Sequence, residues 1–146
     1  MHRGLFATDK LLDTIPAIKN VYKPFIDSMK SGRLDLFDKH INDPDIQEQL
    51  ISWSTLTIIE RCRYITLRNL SKKLWLIENE STRLSFSVFK RSLTVSSCLD
   101  YDDALVECFL ANLIDKGLIK GYLSHEKQTM VLGKAPFPVI TESLNI

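Results

Sequence analysis

The spacing of the apolar residues is helical through the first half of the chain and changes character in the second half. Segments 17–31, 34–41, 45–53 and 56–77 each carry apolar residues three or four positions apart, which predicts four consecutive helices. Gly32 supplies a stop signal between the first two. Helical hairpins are therefore expected to build the first half.

After residue 80 the pattern alternates between strand and helix. The predicted elements are, in order, a brief strand (83–85), a helix capped by Ser85, a helix opened by Asp100, Asp102 and Asp103 and stopped by Gly117, and two strands (118–124 and 129–133). A polar loop, 125–128, joins the last two strands. This order of elements is that of a winged helix, in which the loop forms the tip of the wing.

These elements predict a mainly α fold, in which helical-hairpin (TPR-like) repeats are followed by a winged helix with a small antiparallel β-hairpin. Residues 1–53 are expected to form the helical-repeat portion, and residues 54–138 the long helix plus the winged-helix subdomain. Residues 139–146 are expected to form a flexible tail. A chain of 146 residues is long enough for one core or two small abutting subdomains.

Several classes of protein are disfavoured by simple counts. No apolar run approaches the roughly 20 residues that a bilayer requires, and no targeting peptide is recognisable at the start, so a chain retained inside the cell is expected. Cys62, Cys98 and Cys108 are too far apart for a Cys-x-x-Cys site or a disulfide framework. They are expected to be reduced thiols, buried or just below the surface.

No arrangement of residues suggests catalysis. His2, His40 and His125 are scattered, and the sequence contains neither a Gly-x-Ser-x-Gly turn nor a glycine-rich phosphate loop. We therefore predict no catalytic residue, no metal site and no cofactor, and we expect that the protein is not an enzyme.

Positive charge is concentrated in the middle of the chain. Residues 51–99 carry eight Lys and Arg against three Asp and Glu, a net charge of +5, whereas the whole chain has a net charge of +1. Residues 1–50 and 100–146 carry net charges of −1 and −3. An anionic partner, whether a nucleic acid or an acidic polypeptide, is expected to meet the middle segment first.

A basic stripe is predicted on the long helix. Arg61, Arg68 and Lys72 are seven and four residues apart, which places them within about 40° of one another around a helix. The predicted nucleic-acid-binding residues are Arg61, Arg68, Lys72, Lys73, Lys120 and Lys127, the last two in or beside the wing. The alternative is an ordinary solvated face or a set of salt bridges with acidic neighbours.

The helix that precedes the hairpin is poorly suited to reading bases in the major groove. Its predicted exposed residues are Asp103, Glu107, Asn112 and Asp115, and three of these four are acidic. Acidic side chains repel phosphates and cannot donate to the acceptors of the groove. Contact with nucleic acid is therefore expected to be sequence-tolerant and sensitive to salt.

Three strings resemble the PCI-domain family. They are MKSGRLDLFDKHI (29–41), RNLSKKLWLI (68–77) and LANLIDKGLIKGYLSHEKQTMVLGKAPFP (110–138). Within that family the chain is most similar to the group of signalosome subunit-twelve-like, Thp-one-like and messenger-export PCI-domain proteins. Ser71 departs from the group, which often has an aromatic residue there, and members of the group are much longer than this chain.

The resemblance implies a non-catalytic subunit of a nuclear multiprotein complex, present also in the cytoplasm. Its expected partners are a larger PCI-type scaffold protein, a small acidic Sem-type subunit, and RNA or DNA, in transcription-coupled messenger export or splicing. No membrane partner is implied. The alternative is a free-standing winged-helix transcription regulator that binds DNA directly.

Overall fold

The computed structural model describes residues 12–140, which form helices and one small sheet. In chain order these elements include α1 (Pro16–Ser31), α2 (Leu34–Ile41), α3 (Pro44–Ser52), α4 (Leu56–Ile77), β1 (Arg83–Ser85), α5 (Phe86–Ser97), α6 (Asp103–Asp115), β2 (Gly121–Ser124) and β3 (Thr129–Leu132). The predicted fold class, a helical array followed by a winged helix, is confirmed.

Short turns connect the first four helices, and the sequence supplies a stop at the first junction and a cap at the second. Gly32 follows α1 in the left-handed region (φ +67°), and its N–H donates to the carbonyl of Met29. Asp43 caps α3, its carboxylate accepting from the N–H groups of Asp45 and Ile46. Two residues separate α1 from α2 and α2 from α3, and three residues separate α3 from α4.

Two apolar clusters form the core, and α4 contributes to both. The repeat cluster combines side chains of α1, α2 and α3 with Ile59, Cys62 and Ile65 of α4. The winged-helix cluster gathers side chains of β1, α5, α6 and β3 around Leu67 and Leu74 of the same helix. Because α4 is packed on several sides, its buried surface is wider than a single amphipathic stripe.

The winged helix consists of β1, α5, α6, β2 and β3. The sheet order is β1-β3-β2, and both pairs of strands are antiparallel. Ser85 caps α5 and Asp102 caps α6, as the sequence predicts. The first hairpin strand begins later than predicted because the N–H groups of Leu118 and Ile119 donate to the carbonyl of Leu113 and close α6 instead.

Polar contacts connect the repeat helices to the winged helix. The buried Ser96 hydroxyl donates to the Gly32 carbonyl at 2.6 Å and accepts from the N–H of Leu34 at 3.0 Å. Asp38 of α2 accepts two hydrogen bonds from Arg63 of α4, at 2.8 and 2.9 Å. These contacts fix the orientation of α2 against α5 and α4.

The segment after β3 returns across the molecule. The Pro136 carbonyl accepts from the N–H of Lys120 at 2.8 Å, and the Phe137 ring packs on Trp75 with centroids 5.5 Å apart. Ile140 packs against both apolar clusters. Packing therefore reaches Ile140 in the predicted tail 139–146, whereas Val139 is exposed, and the remainder of that tail lies outside the described residues.

Replacing Gly32 with Ala tests the turn between α1 and α2. An added Cβ would lie 3.0 Å from the backbone nitrogen of Leu70, and the left-handed conformation disfavours any L side chain. We expect the free energy of unfolding, measured by urea denaturation, to fall by about 1–3 kcal/mol. The matched control is Gly133→Ala, whose Cβ would lie 3.5 Å from the Lys120 carbonyl oxygen. An equal loss in both variants would contradict this account.

Candidate nucleic-acid interface

Helix α4 presents three of its four predicted cations to solvent. Arg61, Lys72 and Lys73 are exposed, and among residues 12–140 neither Arg61 nor Lys72 has an ion-pair partner. Lys73 donates to the Ser31 carbonyl at 2.7 Å, at the negative end of the α1 dipole. The ammonium group of Lys73 therefore already has one hydrogen-bond partner within the fold.

Arg68 does not belong to an exposed stripe, and this prediction is wrong. Only 6% of the residue is exposed, its Nη2 donates to the Pro138 carbonyl at 2.7 Å, and its Nη1 donates to Asn69 Oδ1 at 2.9 Å. The guanidinium lies 5.8 Å from the centre of the Phe137 ring, and burial lowers its pKa. The segment after β3 covers this side of α4, so Arg68 holds that segment in place.

Without Arg68, the predicted stripe is interrupted. Arg61 and Lys72 remain on the surface, but they lie eleven positions apart along the helix, a rise of about 16 Å. They are two separate cationic positions. Their role in binding nucleic acid stays a prediction.

The wing carries the other two predicted cations. Lys127 is exposed in the loop between β2 and β3, and Lys120 is exposed just before β2. Neither side chain has an ion-pair partner within the described part of the chain. The backbone of Lys120 is fixed on both sides, because its carbonyl also accepts from the N–H of Gly133 at 3.0 Å.

The acidic side chains of α6 are largely paired with neighbours. Asp103 accepts from Lys90 at 2.9 Å, a contact that raises the pKa of Lys90, and Glu107 contacts His125 Nδ1 at 2.8 Å. Asp103 and Asp115 are exposed as predicted, whereas Glu107 and Asn112 are half-buried. The His125 contact places the wing tip against the helix that a DNA-reading winged helix would insert into the groove.

Arg83 and Tyr122 are not among the predicted site residues, but they flank the wing lysine. Both project from the outer face of the sheet, opposite the buried Leu84 and the core-packed Leu123. A depression of about 100 Å³ on this face is lined by Arg83, Tyr122, Ser124, Lys127, Thr129 and Val131. We call these six residues the wing-sheet surface. In β1 the polar Arg83 and Ser85 flank the apolar Leu84, and this alternation is the sequence signal that could have placed Arg83 on the outer face.

The cysteines are distributed differently from the prediction. Cys62 is buried, and burial raises its pKa to about 11, whereas Cys98 and Cys108 are exposed, so the expectation of three covered thiols is wrong for two of them. Within residues 12–140 no group of three His, Cys, Asp or Glu side chains is placed to hold a metal ion. None of the helices described there combines the length and apolar composition needed to cross a membrane.

In this chain a row of helical hairpins ends in a winged helix, and the long helix α4 packs against both parts. This arrangement defines a class of protein, and comparison with known families identifies that class. The PCI domain matches residues 36–134, from α2 to just beyond β3, and the chain belongs to the PCI-domain family.

The curated relatives come from fungi and animals. The chain is 38% identical to the Protein CSN12 homolog of Schizosaccharomyces pombe over 90% of its length, and 27% identical to the COP9 signalosome complex subunit 12 of Kluyveromyces lactis, also over 90%. It is 41% identical to the PCI domain-containing protein 2 of Danio rerio over 58% of its length. The matches cover 30%, 33% and 21% of those relatives, so the chain spans a third or less of their length.

Replacing Arg68 with Ala tests its structural role. The change removes a buried cation and leaves the Pro138 carbonyl without its donor, so the free energy of unfolding should fall by about 2–4 kcal/mol. Arg61→Ala is the control, since Arg61 is exposed on the same helix and its loss should cost at most about 0.5 kcal/mol. Urea denaturation measures both, and similar losses would show that Arg68 does not hold the returning segment.

Proposed function

We propose that the protein is a non-catalytic PCI-domain subunit of a nuclear multiprotein complex that acts in transcription-coupled messenger export or splicing. The observation that carries the proposal is the PCI match over residues 36–134. It is supported by the relatives whose names place them as signalosome subunit twelve or its homologues. The cytoplasm is a second location of the protein under this proposal.

A scaffold of the same family is the proposed main partner. Large apolar side chains are exposed around the junction of α3 and α4, where Ile51 is 60% exposed and Trp53 and Ile58 about 40%. An array of helical repeats buries such side chains against adjoining repeats or partners. The junction therefore supports docking to another helical protein, such as a larger PCI-type scaffold.

A small acidic subunit and RNA or DNA are the other proposed partners. Support comes from the exposed cations of α4 and the wing, of which Arg61, Lys72 and Lys127 have no ion-pair partner within residues 12–140. Cations of this kind contact phosphates or carboxylates without reading bases. The proposed nucleic-acid contact is therefore sequence-tolerant.

The charge of α6 favours this function over that of a free-standing DNA-binding regulator. A recognition helix reads base edges with exposed basic or amide side chains. On α6 the exposed Asp103 and Asp115 are acidic, and the Glu107 carboxylate contacts His125 of the wing. Insertion of this helix into a major groove would break the His125 contact and bring carboxylates against phosphates.

Affinity purification tests the proposal. The chain is tagged in its own cells and recovered at moderate salt, and the bound proteins are identified by mass spectrometry and sized by gel filtration. We expect a second PCI-domain protein and a small acidic protein to co-elute with the chain in constant proportion. Elution as a monomer with neither protein would contradict the proposal. An untagged strain controls for adhesion to the resin.

A further inference from the structure

The outer face of the three-stranded sheet presents an aromatic ring to solvent. Tyr122 is 63% exposed on β2, an edge strand. The register aligns Arg83, Val131 and Tyr122 in one row across the sheet, and Ser124 pairs with Thr129 in the next row on this face. The ring therefore stands on a rigid floor that hydrogen bonds between strands hold in place.

Two cations border this ring. Arg83 lies across the sheet from Tyr122, about 10 Å away between Cα atoms at the usual strand spacing, and Lys127 lies along the sheet at the wing tip. Neither cation has an ion-pair partner within residues 12–140, and none of the six residues of the wing-sheet surface is acidic. The nearest acidic residue along the chain is Glu126, in the wing loop.

We propose that the wing-sheet surface binds single-stranded nucleic acid, with one base stacked on Tyr122 and flanking phosphates paired with Arg83 and Lys127. The inference deepens the proposed function and rests on it, because it assigns the nucleic-acid contact to one face of the wing. The hydroxyl group of Ser124 lines the same surface and provides a donor for a sugar or phosphate oxygen, whereas the Thr129 hydroxyl donates to the Lys127 carbonyl at 2.7 Å and holds the wing loop against β3.

The chemistry of the surface favours a single strand over a duplex or an acidic peptide. A base within a duplex is already stacked on its neighbours, and its face is not available to Tyr122. An acidic peptide would use the two cations but would gain little from a solvent-facing ring. An exposed aromatic residue between cations is the combination with which single-strand-binding sheets hold unpaired bases.

Fluorescence anisotropy on the full chain tests the proposal with a labelled twelve-nucleotide oligo(U), its oligo(dT) counterpart and a twelve-base-pair duplex. We expect the single strands to bind more tightly than the duplex. Tyr122→Ala should weaken binding of the single strands by roughly 5- to 150-fold, and Tyr122→Phe, which keeps the ring, should retain it. Arg83→Gln and Lys127→Gln should each reduce the salt slope by about 0.7.

Matched variants separate this inference from the proposed function. Lys39→Gln removes an exposed cation from α2, to which no binding role is assigned, and should leave binding within about twofold of wild type. If Lys72→Gln weakened binding and Tyr122→Ala left it intact, the inference would be overturned, but the proposed nucleic-acid contact would be kept. Absence of binding to all three probes would overturn both. A peptide of ten glutamates is the competitor for the single strands. If it displaced them, and its own binding needed Arg83 and Lys127 but not Tyr122, the surface would be assigned to an acidic peptide instead.

Discussion

The burial of α4 on several sides is the constraint on which the other features depend. Its amino-terminal half closes the repeat cluster, and its carboxyl-terminal half closes the winged-helix cluster. Neither cluster is complete without this helix, so the winged helix has a fixed orientation relative to the repeats. Arg63 strengthens the arrangement by holding Asp38 of α2 while its guanidinium lies 5.9 Å from the centre of the Phe109 ring of α6.

This arrangement decides which charges are available to a partner. The segment after β3 covers the middle of the predicted basic stripe on α4, where Arg68 donates a hydrogen bond to the Pro138 carbonyl, and it leaves Arg61 and Lys72 exposed on either side. The sheet, by contrast, uses only its inner face in the core and leaves Arg83, Tyr122 and Lys127 on the outside. The cationic surface that remains continuous is thus on the wing rather than on the long helix.

Local signals determine most of the fold, and they are readable from the sequence. The bounds of α4 agree with the prediction, and Ser85 and Asp102 cap their helices, because caps and stops act within a few residues. Arg68 was unpredictable from a helical wheel, since a wheel assumes one buried side and carries no information about a segment seventy residues away. The wing-sheet surface was not predicted because Arg83 and Tyr122 lie on strands that do not pair with each other. Both residues pair with Val131 of β3, and the sequence alone does not give that register.

The most direct test of the shared helix is whether the two halves unfold together. Trp53 stacks on Tyr22 in the repeats, and Trp75 packs on Phe137 beside the winged helix, so Trp75→Phe and Trp53→Phe leave one fluorescent reporter in each half. Urea denaturation of each variant, followed by fluorescence and by far-ultraviolet circular dichroism, should give one transition with coincident midpoints for both probes. A fluorescence transition of either reporter that is displaced from the circular dichroism transition of the same variant would contradict the account.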